Sequence, residues 1–190
     1  MFGSHRHTLL LALLVLAIPL SARAEPSPGS GDFAGTVEFG LVLVDARHEA
    51  MPKLLGPEQW RAFEALSALP PPGLGTYRDL ETIDFGVASE CMAEAASHHP
   101  LSGIPLFVLS RTKPAALPPN VPAAFSPAAF EAAWRKGQDL LAALVPDAKH
   151  VIARESDHYI QIEQPDLVID AVRQVVDAVR DPASRRPDAE

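Results

Sequence analysis

The sequence predicts an α/β fold built on a small, mainly parallel sheet with flanking helices. Three short apolar runs, at residues 41–44, 104–109 and 149–153, are predicted to be buried strands. Strands of a parallel sheet are covered on both faces, so they lose the alternation of apolar and polar residues. Stretches with helical spacing separate these runs and follow the last one. Strands that alternate with helical stretches are typical of this fold class.

Length and composition narrow the class of protein. The chain has 190 residues, of which 47% are hydrophobic, and a net charge of −8. This length allows one modest domain with a core. The negative charge argues against nucleic acid or an anionic membrane surface as a partner. The single cysteine, Cys91, excludes an intrachain disulfide, and we expect a small buried residue on a helix rather than a nucleophile.

The first 24 residues have the pattern of a secretory signal peptide. A weakly basic start precedes a short apolar run over 9–20, and Ala22-Arg23-Ala24 offers a cleavage site. The run is too short to span a bilayer comfortably, which makes a retained anchor the weaker alternative. We therefore expect a secreted or periplasmic protein with no stable membrane span after cleavage of 1–24. Residues 25–35, rich in Pro, Ser and Gly, are predicted to be a linker.

A domain over residues 36–180 is predicted to contain the sheet and a helical insertion. Residues 51–101 have helical character, with one helix beginning at Gly56-Pro57 and a second over 86–97. The apolar residues of these helices either cover a pocket or pack on the sheet, and the sequence leaves both open.

A basic segment, Ser110 to Lys113, follows the strand at 104–109 and carries no carboxylate. Ser126 and Pro127 are then expected to cap a helix. The apolar stripe of that helix indicates core packing, in which Trp134 is a packing residue.

The last strand and the C-terminal helix frame one histidine. His158 lies in the loop between the strand at 149–153 and an amphipathic helix over 166–180, with Pro165 at a first helical position. Open α/β sheets place functional residues in loops at the carboxyl ends of their strands. Residues 181–190 are predicted to be a solvated tail.

Three segments resemble parts of the α/β-hydrolase family. They are similar to its sixth strand, its seventh strand and its catalytic-histidine loop, in chain order: residues 40–49, residues 104–110, and Asp157-His158-Tyr159 followed by Pro165. The resemblance covers about residues 35–180 and implies that 51–101 is the lid. No G-x-S-x-G occurs in the sequence, so the resemblance implies a truncated hydrolase-like fold. Its nucleophile elbow and earlier half, on the order of a hundred residues or more, are absent.

The resemblance implies that His158 is the catalytic histidine of an acyl-transfer site. Asp45 is the expected acid partner, because some family members place the carboxylate after the sixth strand. The alternatives are a histidine satisfied at a strand end and an aspartate that caps a turn. Asp157 is expected to point elsewhere, and the roles of His48 and Glu49 are left open.

No cofactor, metal site or convincing nucleophile is expected from the sequence. Ser30 lies between two glycines but lacks the strand and the small flanking residues that a nucleophile elbow needs. Ser110 is the other serine that could take this role. His98 and His99 stand at a helix end without further ligands at the spacing that a metal requires.

The resemblance implies a secreted serine hydrolase that acts on a small-molecule ester or similar acyl bond and is inactive alone. One alternative is a non-catalytic module that binds a ligand or a partner. The other is assembly in trans, through an exposed sheet edge, with a second copy or a complementing chain. All three depend on a geometric prediction: Asp45 and His158 project from strand ends toward one pocket, with the predicted strands side by side.

Overall fold

The fold was analysed in a computed structural model. The parts of the chain that it describes are residues 14–21, 37–68, 84–98, 101, 103–117 and 121–181. The strands are β1 (Leu14–Ser21), β2 (Val37–Val44), β3 (Leu106–Arg111) and β4 (Lys149–Ala153). The helices are α1 (Met51–Ser67), α2 (Phe85–His98), α3 (Pro127–Ala142), α4 (Ile160–Glu163) and α5 (Pro165–Arg180). The predicted linker at 25–35 and the tail beyond 181 lie outside the described residues.

The strands form one sheet in the order β1-β2-β3-β4. β2, β3 and β4 are parallel neighbours, in a register that pairs Leu41 with Leu106 and Val108 with His150. The three predicted strands therefore lie side by side, and the fold belongs to the α/β class. β1 joins the other edge of β2 in the antiparallel direction. It comes from the segment that the sequence predicts to be a cleaved leader, and cleavage of that leader stays a prediction.

The prediction for the third strand is wrong at both ends. The apolar run begins at Ile104, whereas β3 begins at Leu106 and continues through Ser110 and Arg111. These last two residues pair with Ile152 and Ala153 of β4. Backbone pairing with a parallel neighbour thus extends the strand beyond the apolar run, and the basic segment is not wholly a loop.

Helices cover both faces of the sheet. α5 packs on one face through Ala171, Val175 and Val179, which contact alternate residues of β2 and β3. α3 and the turn after it pack on the other face through Leu141 and Val145. This double coverage explains why β2 and β3 are apolar without alternation. The prediction that residues 149–153 form a buried strand is wrong as to burial: β4 is an edge strand, and of its residues only Ala153 is fully buried.

A third cluster joins α1 to α3 and contains the aromatic residues of both helices. The backbone of Gly56 leaves helical geometry at φ 76° and ψ 166°, so Pro57 begins a second helical segment after a kink. The predicted start of this helix, at Gly56-Pro57, is therefore a kink inside α1, which has a further helical turn before it from Met51. Cys91 of α2 is exposed, which makes the prediction of a buried cysteine wrong: this helix contacts α1 over few residues, and Cys91 lies on its outer surface.

A bilayer-spanning helix is not found within the described ranges, where every helix is too short or too polar.

A candidate histidine–aspartate site

Asp45 lies at the point where β2 ends, in an unusual backbone conformation. Its φ angle is +44°, in the left-handed region that asparagine and aspartate tolerate better than most residues. Its backbone N–H donates to the carbonyl of Leu109 at 2.7 Å, which ties the turn to β3. The Asp45 side chain is completely buried. The end of the strand therefore places one carboxylate in a fixed position inside the protein.

The structure brings the predicted pair, Asp45 and His158, into direct contact. Nδ1 of His158 lies 2.8 Å from Oδ2 of Asp45, although 113 positions separate the residues in sequence. The carboxylate of Asp157 accepts a hydrogen bond from the backbone N–H of Tyr159 at 2.9 Å. Asp157 thus serves the loop backbone, and the buried Ile160 of α4 anchors the loop just beyond. The catalytic role of the Asp45–His158 pair stays a prediction.

Two further residues, which the sequence did not indicate as site residues, donate hydrogen bonds to Asp45. Arg111 donates to Oδ1 from its backbone N–H at 3.3 Å and to Oδ2 from Nε at 3.0 Å. Nε1 of Trp134 donates to Oδ1 at 2.9 Å. The orientation of the carboxylate is therefore held from three elements, and Trp134 is more than a packing residue.

Arg111 is shared between two carboxylates. Glu131 of α3 accepts from Nη2 of Arg111 at 3.0 Å and lies 2.9 Å from Nη1, which also donates to the Lys113 carbonyl at 2.6 Å. Asp45, Arg111 and Glu131 together carry one net negative charge when all three are ionised. His158 contacts the same group of side chains through Asp45.

The two nitrogens of His158 have different surroundings. Nδ1 contacts Asp45, whereas Nε2 has no hydrogen-bond partner among the residues that the structure describes. The ring packs edge-on against Trp134 and Tyr159, with centroids 6.0 and 5.4 Å away. The side chain is 15% exposed, against 0% for Asp45. Nε2 is thus the atom through which a reacting group would meet this site.

Ser110 does not belong to the site. Its hydroxyl lies 2.7 Å from Nε2 of His150 and 3.0 Å from Oε1 of Gln138. Gln138 belongs to α3, the helix that also carries Trp134, so Ser110 faces the same helix as the site. Among the described residues, however, its hydroxyl contacts His150 and Gln138 and not His158. The other serine considered, Ser30, lies outside the described residues.

His48 and Glu49, whose roles the sequence left open, belong to the turn between β2 and α1. Nδ1 of His48 accepts the backbone N–H of Ala50 at 2.9 Å and lies 3.2 Å from a carboxylate oxygen of Glu49. The pKa of His48 lies below the usual histidine value. Burial is the largest cause and the charge of Arg47 also lowers the pKa, whereas the charge of Glu49 raises it. The acceptor role of Nδ1 requires a neutral ring with its proton on Nε2, so His48 shapes the turn as a neutral side chain.

His98 lies at the exposed end of α2. Over the described ranges, no group of three or more His, Cys, Asp or Glu side chains could hold a metal ion. His99 lies outside those ranges.

Comparison of the chain with family models, with curated proteins and with solved structures found no match. The interpretation of the site therefore depends on its own geometry and on the sequence resemblance.

Proposed function

We propose that this chain supplies the histidine and the aspartate of a serine-hydrolase-type acyl-transfer site, on a fold that resembles the second half of an α/β-hydrolase. The observation that carries the proposal is the 2.8 Å contact between Nδ1 of His158 and Oδ2 of Asp45. An aspartate in this position selects the tautomer with its proton on Nδ1 and stabilises the imidazolium that forms during the reaction.

The proposed reaction passes one proton through Nε2 of His158. A serine hydroxyl placed against this atom transfers its proton to the ring as the oxygen attacks an acyl carbon. The ring then returns the proton to the leaving alcohol, and a second round with water releases the acid. Asp45 stays in place throughout, because Arg111 and Trp134 hold its two oxygens. The substrate class in this proposal is a small-molecule ester or a similar acyl compound.

In the same proposal the serine comes from another polypeptide, since the Ser110 hydroxyl contacts His150 and Gln138 instead of His158 and the chain has no G-x-S-x-G. That polypeptide would contain the early strands and the nucleophile elbow of the fold, and α1 and α2 would act as the lid. The same proposal locates the assembled enzyme outside the cytoplasm, on the basis of the predicted signal peptide over residues 1–24.

The test mixes this chain with a polypeptide that carries the early strands and the elbow of an α/β-hydrolase, and measures hydrolysis of p-nitrophenyl acetate. We expect the chain alone to give only background turnover and the mixture to give more. Asp45→Asn should lower the gained rate by roughly 10³- to 10⁴-fold, and His158→Ala should abolish it.

The matched control is His150→Ala, which removes a histidine from a neighbouring strand and should leave the gained rate unchanged. A mixture whose activity survives His158→Ala would refute the proposed role of the histidine. A chain that hydrolyses the ester alone, in a manner that requires His158, would refute the proposed external serine.

A second candidate function is a non-catalytic module that binds a ligand or a partner. The observation in its favour is that Arg111 and Trp134 already satisfy Asp45, so the network also works as a structural connection between the sheet and α3. A monomeric chain that binds a ligand and gains no turnover on mixing would favour this candidate.

A further inference from the structure

Arg47 is a buried arginine that lacks the carboxylate partner such a residue normally has. Its side chain leaves the segment between β2 and α1, and only 7% of the residue is exposed. Nη1 donates to Oγ of Ser89 at 2.5 Å. The guanidinium carbon lies 5.0 Å from the ring centroid of Phe85 and 6.0 Å from that of Trp60. Aromatic faces and one hydroxyl thus surround this cation.

The charge of Arg47 is not neutralised by any ion pair within the described residues. The pKa of Arg47 lies below the usual arginine value, because burial lowers it more than the charge of Glu49 raises it. The carboxylate of Glu49, however, lies 3.2 Å from His48 and not against the guanidinium. Burying a charge without a partner is costly, so proteins normally pair it. An arginine kept here without a carboxylate partner is therefore available to an anionic ligand.

The other two guanidinium nitrogens of Arg47 are unpaired over the described ranges. Nε and Nη2 have no hydrogen-bond partner among the described residues. Among those same residues, the fully enclosed side-chain N or O atom without a partner is Oγ of Ser67. The unpaired nitrogens of Arg47 are therefore not fully enclosed, and a planar fork of donors suits a carboxylate.

The position of Arg47 relates it to the proposed active site. It follows Asp45 by two residues on the same short segment. A continuous series of ring contacts connects the two regions: His158 to Trp134, Trp134 to Phe130, Phe130 to Phe63, and Phe63 to both Trp60 and Phe85. The rings from Trp134 to Trp60 are packed together in the core and are only 0 to 8% exposed, so a ligand of Arg47 would meet Trp60 and Phe85 beside the guanidinium rather than extend along the series.

We propose that Arg47 binds the carboxylate of a monoanionic, partly apolar ligand. The identification of this ligand as the substrate depends on the function proposed above. The proposal that Arg47 binds a carboxylate does not depend on that function. A single buried cation offers one positive charge, since neutral His48 adds none. The charge of Glu49 nearby would oppose a dianion. A carboxylate therefore fits this site better than a phosphate.

The test measures binding of phenylacetate and of its neutral isostere phenylacetamide to the full chain by isothermal titration calorimetry. We expect phenylacetate to bind at least tenfold more tightly than phenylacetamide and more tightly than inorganic phosphate. Arg47→Met should remove the preference for the anion, and Arg47→Lys should keep a weaker preference because it retains the charge without the fork. Ser89→Ala should weaken binding of phenylacetate, since the guanidinium loses its positioning partner.

The thermal unfolding midpoint separates a binding role from a structural one. Arg47→Met should keep or raise this midpoint, because an apolar side chain of similar size replaces an unpaired charge. Arg173→Met is the matched control, because the side chain of Arg173 is 71% exposed. This substitution should change neither the binding of phenylacetate nor the unfolding midpoint.

Equal affinities of the wild-type chain for the two probes would overturn the inference. So would unchanged binding in Arg47→Met, a preference for phosphate, or a large fall in the unfolding midpoint of Arg47→Met. The binding test involves no turnover, so failure of the ester-hydrolysis test would leave its result intact, and a failed binding test would leave the histidine proposal intact.

Discussion

Asp45 combines a left-handed backbone, complete burial and contacts with three different side chains. Each of these features is costly without the others. The buried charge is tolerated because donors surround both carboxylate oxygens, and the positive φ angle aims the side chain at those donors. At the scale of single residues, the candidate site is therefore one carboxylate with its donors arranged around it.

Substitution of Asp45 should lower the free energy of unfolding substantially. Asp45→Asn removes the negative charge and sets an N–H group against Arg111, and we expect a loss of about 3 kcal/mol, as for breaking other buried ion pairs. Asp45→Ala should lose about 1 kcal/mol more, since alanine tolerates a positive φ less well. Urea unfolding measures both values.

The control for this prediction is Asp147→Asn, at an exposed aspartate, whose unfolding midpoint should match that of the wild-type chain. An Asp45→Asn chain with a wild-type midpoint would show that the buried network contributes no stability.

The pH dependence of stability should report the buried ring of His48. Burial lowers the pKa of this histidine in the folded chain, so the unfolded chain binds the proton first as the pH falls. The stabilisation is fully present above the ordinary histidine pKa of about 6.5 and is lost as the pH falls below it. His48→Asn retains an acceptor for the N–H of Ala50 and does not titrate, so its stability should fall less over this range.

Urea unfolding of both chains at a series of pH values between about 5 and 8 measures the difference. Parallel curves for the wild-type and His48→Asn chains would contradict the assignment of this pH dependence to His48.

At the scale of secondary-structure elements, the contact between β2 and α5 requires a glycine. A Cβ atom on Gly40 would lie 2.4 Å from Cγ1 of Val175 and 3.1 Å from the carbonyl oxygen of Pro105. The helix therefore lies directly on the strand at this point. This close approach places α5 over the sheet, and α5 in turn follows the loop that carries His158.

Gly40→Ala should destabilise the chain by about 1 to 3 kcal/mol, the usual cost of adding atoms to a packed core. Combining it with Val175→Ala removes the methyl group that the new Cβ would meet. The two changes should consequently cost less together than the sum of their separate costs, by about 1 kcal/mol. Additive losses in urea unfolding would mean that another contact, such as that with Pro105, causes the strain.

At the scale of the whole molecule, the pairing of one edge of the parallel strands depends on β1, which lies in the predicted leader. β1 covers one edge of β2, and cleavage after residue 24 would remove it. The unpaired N–H and C=O groups of β2 would then be exposed. Such an edge pairs readily with another strand, and an elbow-bearing chain or a second copy could supply one.

A chain that begins at Glu25 should therefore self-associate with increasing concentration, whereas the full chain should do so less. Sedimentation velocity over a range of concentrations measures this difference. Phe39 on β2 is 43% exposed, so Phe39→Lys should weaken the association, because a charge on an edge strand discourages pairing. Equal association by the shortened chain with and without this change would argue against pairing through β2.

Local patterns in the sequence were sufficient for the extent of β4, the cap of α3 at Ser126 and the extent of α5. These features depend on short-range periodicity and on the chemistry of neighbouring residues. The strand predicted over 41–44 was found, but β2 begins four residues earlier, at Val37. The boundaries of β3 and the kink at Gly56 were less well predicted, because strand pairing and packing extend or interrupt an apolar run.

The partners of Asp45 could not be read from such patterns. Arg111, Trp134 and His158 are separated from it by 66, 89 and 113 positions. His158 was predicted from its resemblance to a known loop, but nothing local marked Arg111 or Trp134. The residue types along the chain thus specified three of the strands and the four longer helices, but not β1 or α4, and the resemblance indicated two candidate site residues. Which distant donors surround the buried carboxylate depended on how the chain packs, because burial and charge pairing are properties of the folded molecule.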